Sequence, residues 1–156
     1  MPDIRTAYDA AARRMDYAIA PPGLAEDAAL ETAVLLSLFS DRRAEPDEAP
    51  PDGSDDRRGW WADAYPAAVG DRLGSRLWLL SRSKGTAAVL ALARSYAEEA
   101  LAWLVEDGVA ERVEVIVEHL RPADPAHAHA LALLAIIHRP GQPPARYRFE
   151  HVWEAV

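Results

Sequence analysis

Gly108 divides the chain into two hydrophobic periods, and that change limits the fold more than any other feature. Upstream, Val89, Ala93, Tyr96, Ala100 and Trp103 form one row, with Leu90, Ala97, Leu101 and Leu104 in a second row beside it. This spacing predicts an amphipathic helix over 86–107, capped by Thr86 and ended by Gly108 in a left-handed conformation. Downstream, Arg112-Val113-Glu114-Val115-Ile116-Val117-Glu118 alternates, which predicts a strand near 111–119 with its valines inward. A second strand is predicted over 127–138 and is apolar on both faces. Leu131, Leu133, Ala135 and Ile137 share one face, and Ala130, Ala132, Leu134 and Ile136 the other. A third, near 145–153, sets Tyr147, Phe149 and His151 against Arg146, Arg148 and Glu150. Pro122, Pro125 and Pro140 to Pro144 mark the turns between them.

The first half reads differently. Residues 3–8 and 14–19 alternate and predict a β-hairpin, closed off by Pro21-Pro22-Gly23. A helix is expected over 27–40, with Asp27 as N-cap, Glu31 in its first turn, and a stripe of Leu30, Val34 and Leu38 widened by Leu35 and Phe39. Another is expected over 71–82, with Leu73, Leu77 and Leu80 on one face and Trp78 close by. The expected architecture is a single α+β domain spanning 1–156. It has an N-terminal hairpin, three helices and a C-terminal three-stranded antiparallel meander.

Between the first two helices lies a flexible acidic loop, about 41–59, in which Pro46, Pro50, Pro51 and Gly53 block regular structure. Loops of this length are uncommon in compact domains and are usually functional or disordered. Arg42-Arg43 and Arg57-Arg58 bracket it, and Trp60-Trp61 follows. The arginines either balance the acids of the loop or pair with carboxylates of a neighbour. Adjacent tryptophans point in different directions: either the loop packs both internally, or one packs inward while the other meets a partner.

The stretches ETAVLLSLFSDRRAEPDE, DDRRGWW, SRLWLLSRS (75–83) and SYAEEALAWLVEDGV (95–109), with the C-terminal FEHVW, carry a resemblance. In order and content they resemble the small baseplate protein of Mu-like contractile-tailed phages. That family is similar in turn to wedge proteins of contractile injection systems, some of them labelled lysozyme-like. The resemblance implies a structural wedge subunit, in about six copies around the tail axis. It would link larger wedge proteins to tail tube or sheath subunits at the base of the tail and help start sheath assembly. It also implies residence in the virion tail baseplate after synthesis in the bacterial cytoplasm. The wider family carries a Glu-Pro-Arg turn where the long helix meets the sheet. This chain reads Glu106-Asp107-Gly108-Val109-Ala110-Glu111-Arg112 there, without the proline. The expected partner-contacting residues are Arg42, Arg43, Arg57, Arg58, Trp60 and Trp61 from the loop, Glu111 and Arg112 at the join, and Leu134 and Ile136 on the second face of the sheet. The strand edges 112–118 and 146–153 are expected to accept a foreign strand, as the resemblance to sheath subunits implies.

Composition narrows the remaining options. A formal charge of −8 argues against a nucleic-acid partner, which would need a basic face. Lys84 is the only lysine, as the codon bias of a GC-rich genome would produce, and there is no cysteine for a disulfide, a zinc thiolate or a nucleophile. No segment approaches the roughly 18 apolar residues needed to span a membrane, and the first residues have no apolar signal core. His127 and His129 share one face of a strand without a third ligand spaced to join them. No phosphate loop, GxSxG elbow or SxxK is present, and no carboxylate pair stands in a context that would raise one pKa for glycoside hydrolysis. No cofactor is expected, and the chain reads as a structural protein rather than an enzyme. The competing readings are a peptidoglycan-cleaving lysozyme-like enzyme and an acidic protein-binding module.

Overall fold

The computed structural model describes residues 3–4, 6–9, 14–17, 19–20, 23–24, 26–27, 30–66, 71–83, 85–119 and 130–154. The chain opens with short antiparallel ladders. β1 (Asp3–Ile4) pairs with β6 (Glu26–Asp27), β2 (Thr6–Asp9) with β3 (Arg14–Tyr17), and β4 (Ile19–Ala20) with β5 (Gly23–Leu24). The hairpin expected from the alternation is the β2–β3 pair, with Thr6 opposite Tyr17 and Asp9 opposite Arg14.

Helix α1 spans Glu31–Phe39, shorter than the expected 27–40. Asp27 is not its cap, because that residue sits opposite Asp3 in a strand ladder. The N-cap position is Leu30, whose side chain cannot cap. Its backbone N–H donates to the Tyr147 hydroxyl at 3.1 Å, so a residue 117 positions away satisfies a donor at the start of the helix. The expected stripe is correct in its buried members, since Val34, Leu35 and Leu38 are all core residues.

The expected helix over 71–82 is a single 3₁₀ turn, Leu77–Leu80. Gly74 has φ +94°, outside any right-handed helix. Ser75 spends its backbone on the end of α1: its N–H donates to Ser40 O at 2.9 Å, and its carbonyl accepts from Arg42 N–H at 3.0 Å. This makes a parallel bridge between Asp41 and Ser75. A Cβ on Gly74 would lie 2.3 Å from Ser40 O, so only glycine lets the two segments approach this closely. The leucine spacing was real, and Leu77 and Leu80 are buried, but a tertiary contact overrides the helical period.

Helix α2 spans Ala87–Leu101, and after Ala102 a further turn, α3, spans Trp103–Glu106. Thr86 caps as expected, its hydroxyl accepting from Val89 N–H at 3.3 Å. Gly108 has φ +70°, and Ala110 N–H reaches back to Leu104 O at 2.7 Å. Both predicted apolar rows of this helix belong to the core or pack directly against it.

The meander consists of β7 (Arg112–His119), β8 (Ala130–His138) and β9 (Ala145–Glu154), in that order and antiparallel. Val115 stands opposite Ala135, which stands opposite Tyr147. Val115, Leu131, Leu133, Ala135, Ile137 and Phe149 form the inner face against the helices, and Phe149 meets Phe39 edge-on at 5.1 Å. The start of the predicted second strand, with His127 and His129, lies outside the described residues, as does the side chain of His151.

The other face of the sheet carries the second apolar row of β8. On this face Ile136 is 8% exposed, and Leu134 is half-buried. Charged residues of the flanking strands border the row on either side. Arg148, opposite Leu134, reaches across β8 to Glu118 at 2.9 Å and also binds Glu150. At the other end Glu114 binds Arg112 at 2.7 Å and His138 at 2.9 Å. Ile116 is the member of this face that stays exposed. No helix among the described residues is long and apolar enough to cross a membrane.

Candidate interaction surface

The long loop between α1 and the Leu77–Leu80 turn is held by polar contacts at several levels. Ala44, fully buried, donates its N–H to Arg57 O at 2.9 Å, and the Arg57 guanidinium returns two hydrogen bonds to Ala44 O. The Trp78 indole N–H donates to Arg42 O at 2.9 Å. Ser54 donates its hydroxyl and its N–H to Asp52, which makes the acidic tip a self-contained turn rather than a calcium loop.

Beneath the loop is an ion network that the sequence did not reveal. Arg76 binds Glu48 at 2.7 Å and Glu99 at 2.6 Å, and its guanidinium lies 4.6 Å from the centre of the Tyr96 ring. Arg42 joins Glu99 at 3.2 Å. The Tyr96 hydroxyl donates to Glu48 at 2.8 Å. Glu99 is therefore the helix anchor of the loop, and Glu48 is the loop's own anchor. Burial works to raise the Glu48 carboxyl, but the Glu45 N–H, the Tyr96 hydroxyl and Arg76 together hold it below its ordinary value. Burial, and then the bond to Glu48, push the Tyr96 phenol up to about 12. Arg76 is held above its ordinary value by its two carboxylates, against the effect of burial.

This frame presents the tryptophans. Arg58 (φ +51°) and Gly59 (φ +106°) both take left-handed backbone, turning the chain sharply before Trp60. Gly59 passes so close to Arg43 that a Cβ there would meet the Arg43 Cβ at 2.8 Å. A 3₁₀ turn, Trp61–Ala64, follows. Trp61 is 77% exposed, Tyr65 84% and Trp60 48%. Neither indole is packed fully inward.

Trp60 stands between two concavities. On one side is a groove of about 500 Å³ lined by Arg43, Arg57, Arg58, Arg72, Trp60 and Trp61 among others. Arg58 is engaged by Asp41 at 2.8 Å and lies over the Trp78 ring, and Arg72 is engaged by Glu45. Arg43 and Arg57 bond only to backbone carbonyls, so among the described residues neither has a carboxylate partner. On the other side is a cleft of about 570 Å³ between α1, the end of α2 with α3, and residues 60–66 and 71–74.

The expected contact residues therefore fall in four places. Arg43, Arg57, Arg58, Trp60 and Trp61 converge on the groove, while Arg42 lies beneath in the ion network. Glu111 and Arg112 stand at the start of β7, where Glu111 N–H donates to His138 O at 2.8 Å. Leu134 and Ile136 lie on the sheet face turned away from the helices. Sequence reasoning missed Tyr65 and Leu36, which line the cleft. Leu36 falls off the buried stripe of α1, and an off-stripe leucine was a legible signal. Nothing around Tyr65 distinguished it. No group of three or more potential metal ligands is gathered among the described residues.

The chain belongs to the phage protein GP46 family, whose model matches residues 30–143. The baseplate protein gp46 of Escherichia phage Mu is 55% identical over 95 residues, which are 60% of this chain and 63% of that protein. The Mu-like prophage FluMu protein gp46 of Haemophilus influenzae is 40% identical over 104 residues, 67% of this chain and 68% of the relative. The chain thus spans somewhat under two thirds of the length of the phage Mu protein it matches.

Proposed function

We propose that this protein is a structural component of a phage-tail baseplate, and that it binds its neighbours through the Trp60–Trp61 face. The observation that carries this is the exposure of Trp60, Trp61 and Tyr65 on a loop frame held by four ion-paired residues. Large aromatics on a preorganised surface are the usual anchors of protein–protein contact. The name of the phage Mu relative supports the baseplate setting. Arg43 and Arg57, without carboxylates of their own, suit acidic groups on that neighbour.

In the finer reading the chain is a wedge subunit in about six copies around the tail axis. It joins larger wedge proteins to the tube or sheath base, and assembles in the bacterial cytoplasm. The outer edges of β7 and β9 carry no further strand among the described residues, which leaves them able to take a strand from a sheath subunit. The function is structural rather than enzymatic. Glu48, the carboxylate at the centre of the ion network, is held low by its partners, whereas a glycosidase acid needs its pKa raised.

The test is substitution at the face. Trp61→Ala should change folding stability by less than about 0.5 kcal/mol, as exposed positions do. It should nevertheless reduce incorporation into tail particles, because truncating a hot-spot aromatic removes about 2 kcal/mol or more of binding. Particles that assemble normally with both Trp60→Ala and Trp61→Ala would defeat the proposal.

A further inference from the structure

The cleft on the far side of Trp60 differs in chemistry from the arginine groove. Its apolar walls include Leu36, Trp60, Tyr65 and Trp103, and three carboxylates, Asp63, Asp71 and Asp107, line it. Among the described residues none of these three has a cationic partner. The one arginine in the wall, Arg72, is engaged by Glu45 at 3.0 Å. Asp63 accepts the Leu73 N–H through Oδ1 at 3.2 Å, while its Oδ2 is buried without a hydrogen-bond partner among the described residues. Asp107 is the C-cap of α3, where the carbonyl end of a helix already disfavours an acid. The faces of the aromatic rings add further negative potential. An apolar cleft with this field is complementary to a guanidinium or an ammonium group, whose stem would lie on the rings while its head meets the carboxylates. Trp60, Asp63 and Arg72 line both concavities, so the cleft is continuous with the proposed contact face.

We propose that this cleft receives an arginine or lysine carried on an apolar segment of a neighbouring protein in the particle. The proposal rests on the baseplate reading and adds the chemistry of the partner. It separates the surface into two halves of opposite demand: acidic groups of the partner meet Arg43 and Arg57, and a basic anchor enters beside Tyr65.

The experiment uses the full chain in assembled tail particles. A photo-reactive benzophenone side chain placed at Tyr65 should crosslink to a segment of another virion protein with an arginine or lysine within one helical turn. Asp71→Lys combined with Asp107→Lys should lower incorporation roughly tenfold or more, since a like charge facing a docked cation opposes binding. Thermal unfolding of this variant should match the parent, because both side chains are exposed. A crosslinked segment without a basic residue overturns the proposal, even if the charge-reversed chain folds poorly. So does native-level incorporation of that variant. Either result leaves the baseplate reading standing. Absence of the unaltered chain from particles would instead remove the baseplate reading itself, and this inference with it.

Discussion

Arg76→Met should reveal how firmly the loop is fastened. The side chain is 17% exposed and binds two carboxylates, Glu48 and Glu99, while stacking on Tyr96. Methionine keeps most of the aliphatic stem, so the loss is chiefly electrostatic. The two carboxylates lose unequally. Glu99 retains Arg42 at 3.2 Å and is more exposed. Glu48, whose side chain is 18% exposed, retains only the Tyr96 hydroxyl and the Glu45 N–H. Removing one partner of a buried pair costs about 3–5 kcal/mol, and an exposed pair contributes about 0–1 kcal/mol. This site lies between those limits, which gives about 2–3 kcal/mol. Most of it should come from Glu48, so Glu48→Gln in the Arg76→Met background should add little. A double-mutant cycle read by urea unfolding should give a coupling of about 1–2 kcal/mol. Tryptophan fluorescence is a suitable probe because Trp78 hydrogen-bonds to the loop at Arg42. A loss below about 0.5 kcal/mol with no coupling would mean that the network behaves as an ordinary surface cluster.

The glycines offer a paired comparison. Gly74→Ala should destabilise by more than about 3 kcal/mol, since backbone strain of about 1–3 kcal/mol adds to a contact with Ser40 O. Gly53→Ala, also at positive φ but with nothing within 4 Å, should lose only about 1 kcal/mol; equal losses in chemical denaturation would contradict the close-approach argument. The pH dependence follows from two groups. Tyr96 has a folded pKa of about 12 against an ordinary 10.0, so its contribution is complete below pH 10 and is lost as pH rises towards 12. Glu48 has a lowered folded pKa, so its contribution is present above 4.5 and is lost as pH falls through that depressed value. Tyr96→Phe should flatten the alkaline limb of a stability–pH curve, and Glu48→Gln the acid limb; unchanged limbs in both variants would refute the assignments.

The parts of this fold that repeat were legible in the sequence, and the parts that depend on one distant contact were not. The rows of α2 and the inner faces of the meander could be read because every third or second residue carries the same message. The 71–82 segment has an equally good leucine spacing, yet Gly74 and the backbone of Ser75 are committed to the end of α1, and only one turn of helix survives. Asp27 looked like a cap, but a strand pairing opposite Asp3 claims it. Of the site, the arginines and tryptophans around the groove were visible by residue type and clustering. Glu48 was hidden among similar acids of the loop, since its distinction is convergence with Arg76 and Tyr96, 28 and 48 positions away. The cleft was hidden for the same reason, being shared between two helices and the segment after the tryptophans.

The contact between Asp41 and Ser75 has a consequence for how such a surface can change. The chain leaves the frame at Ser40 and re-enters it at Ser75, and the two points are hydrogen-bonded to each other. Everything between them is an excursion that begins and ends at one place. Lengthening such an excursion is cheap, about 0.6 kcal/mol for each doubling. The helix–sheet body does not have to be rebuilt when the excursion is altered. Partner preference can therefore drift by insertion and replacement within 41–74 while the body stays constant. By the same logic, the segment could be exchanged between relatives as a cassette, provided that a glycine remains at 74 and that residues 42 and 48 still match the anchors at 76 and 99 in the body.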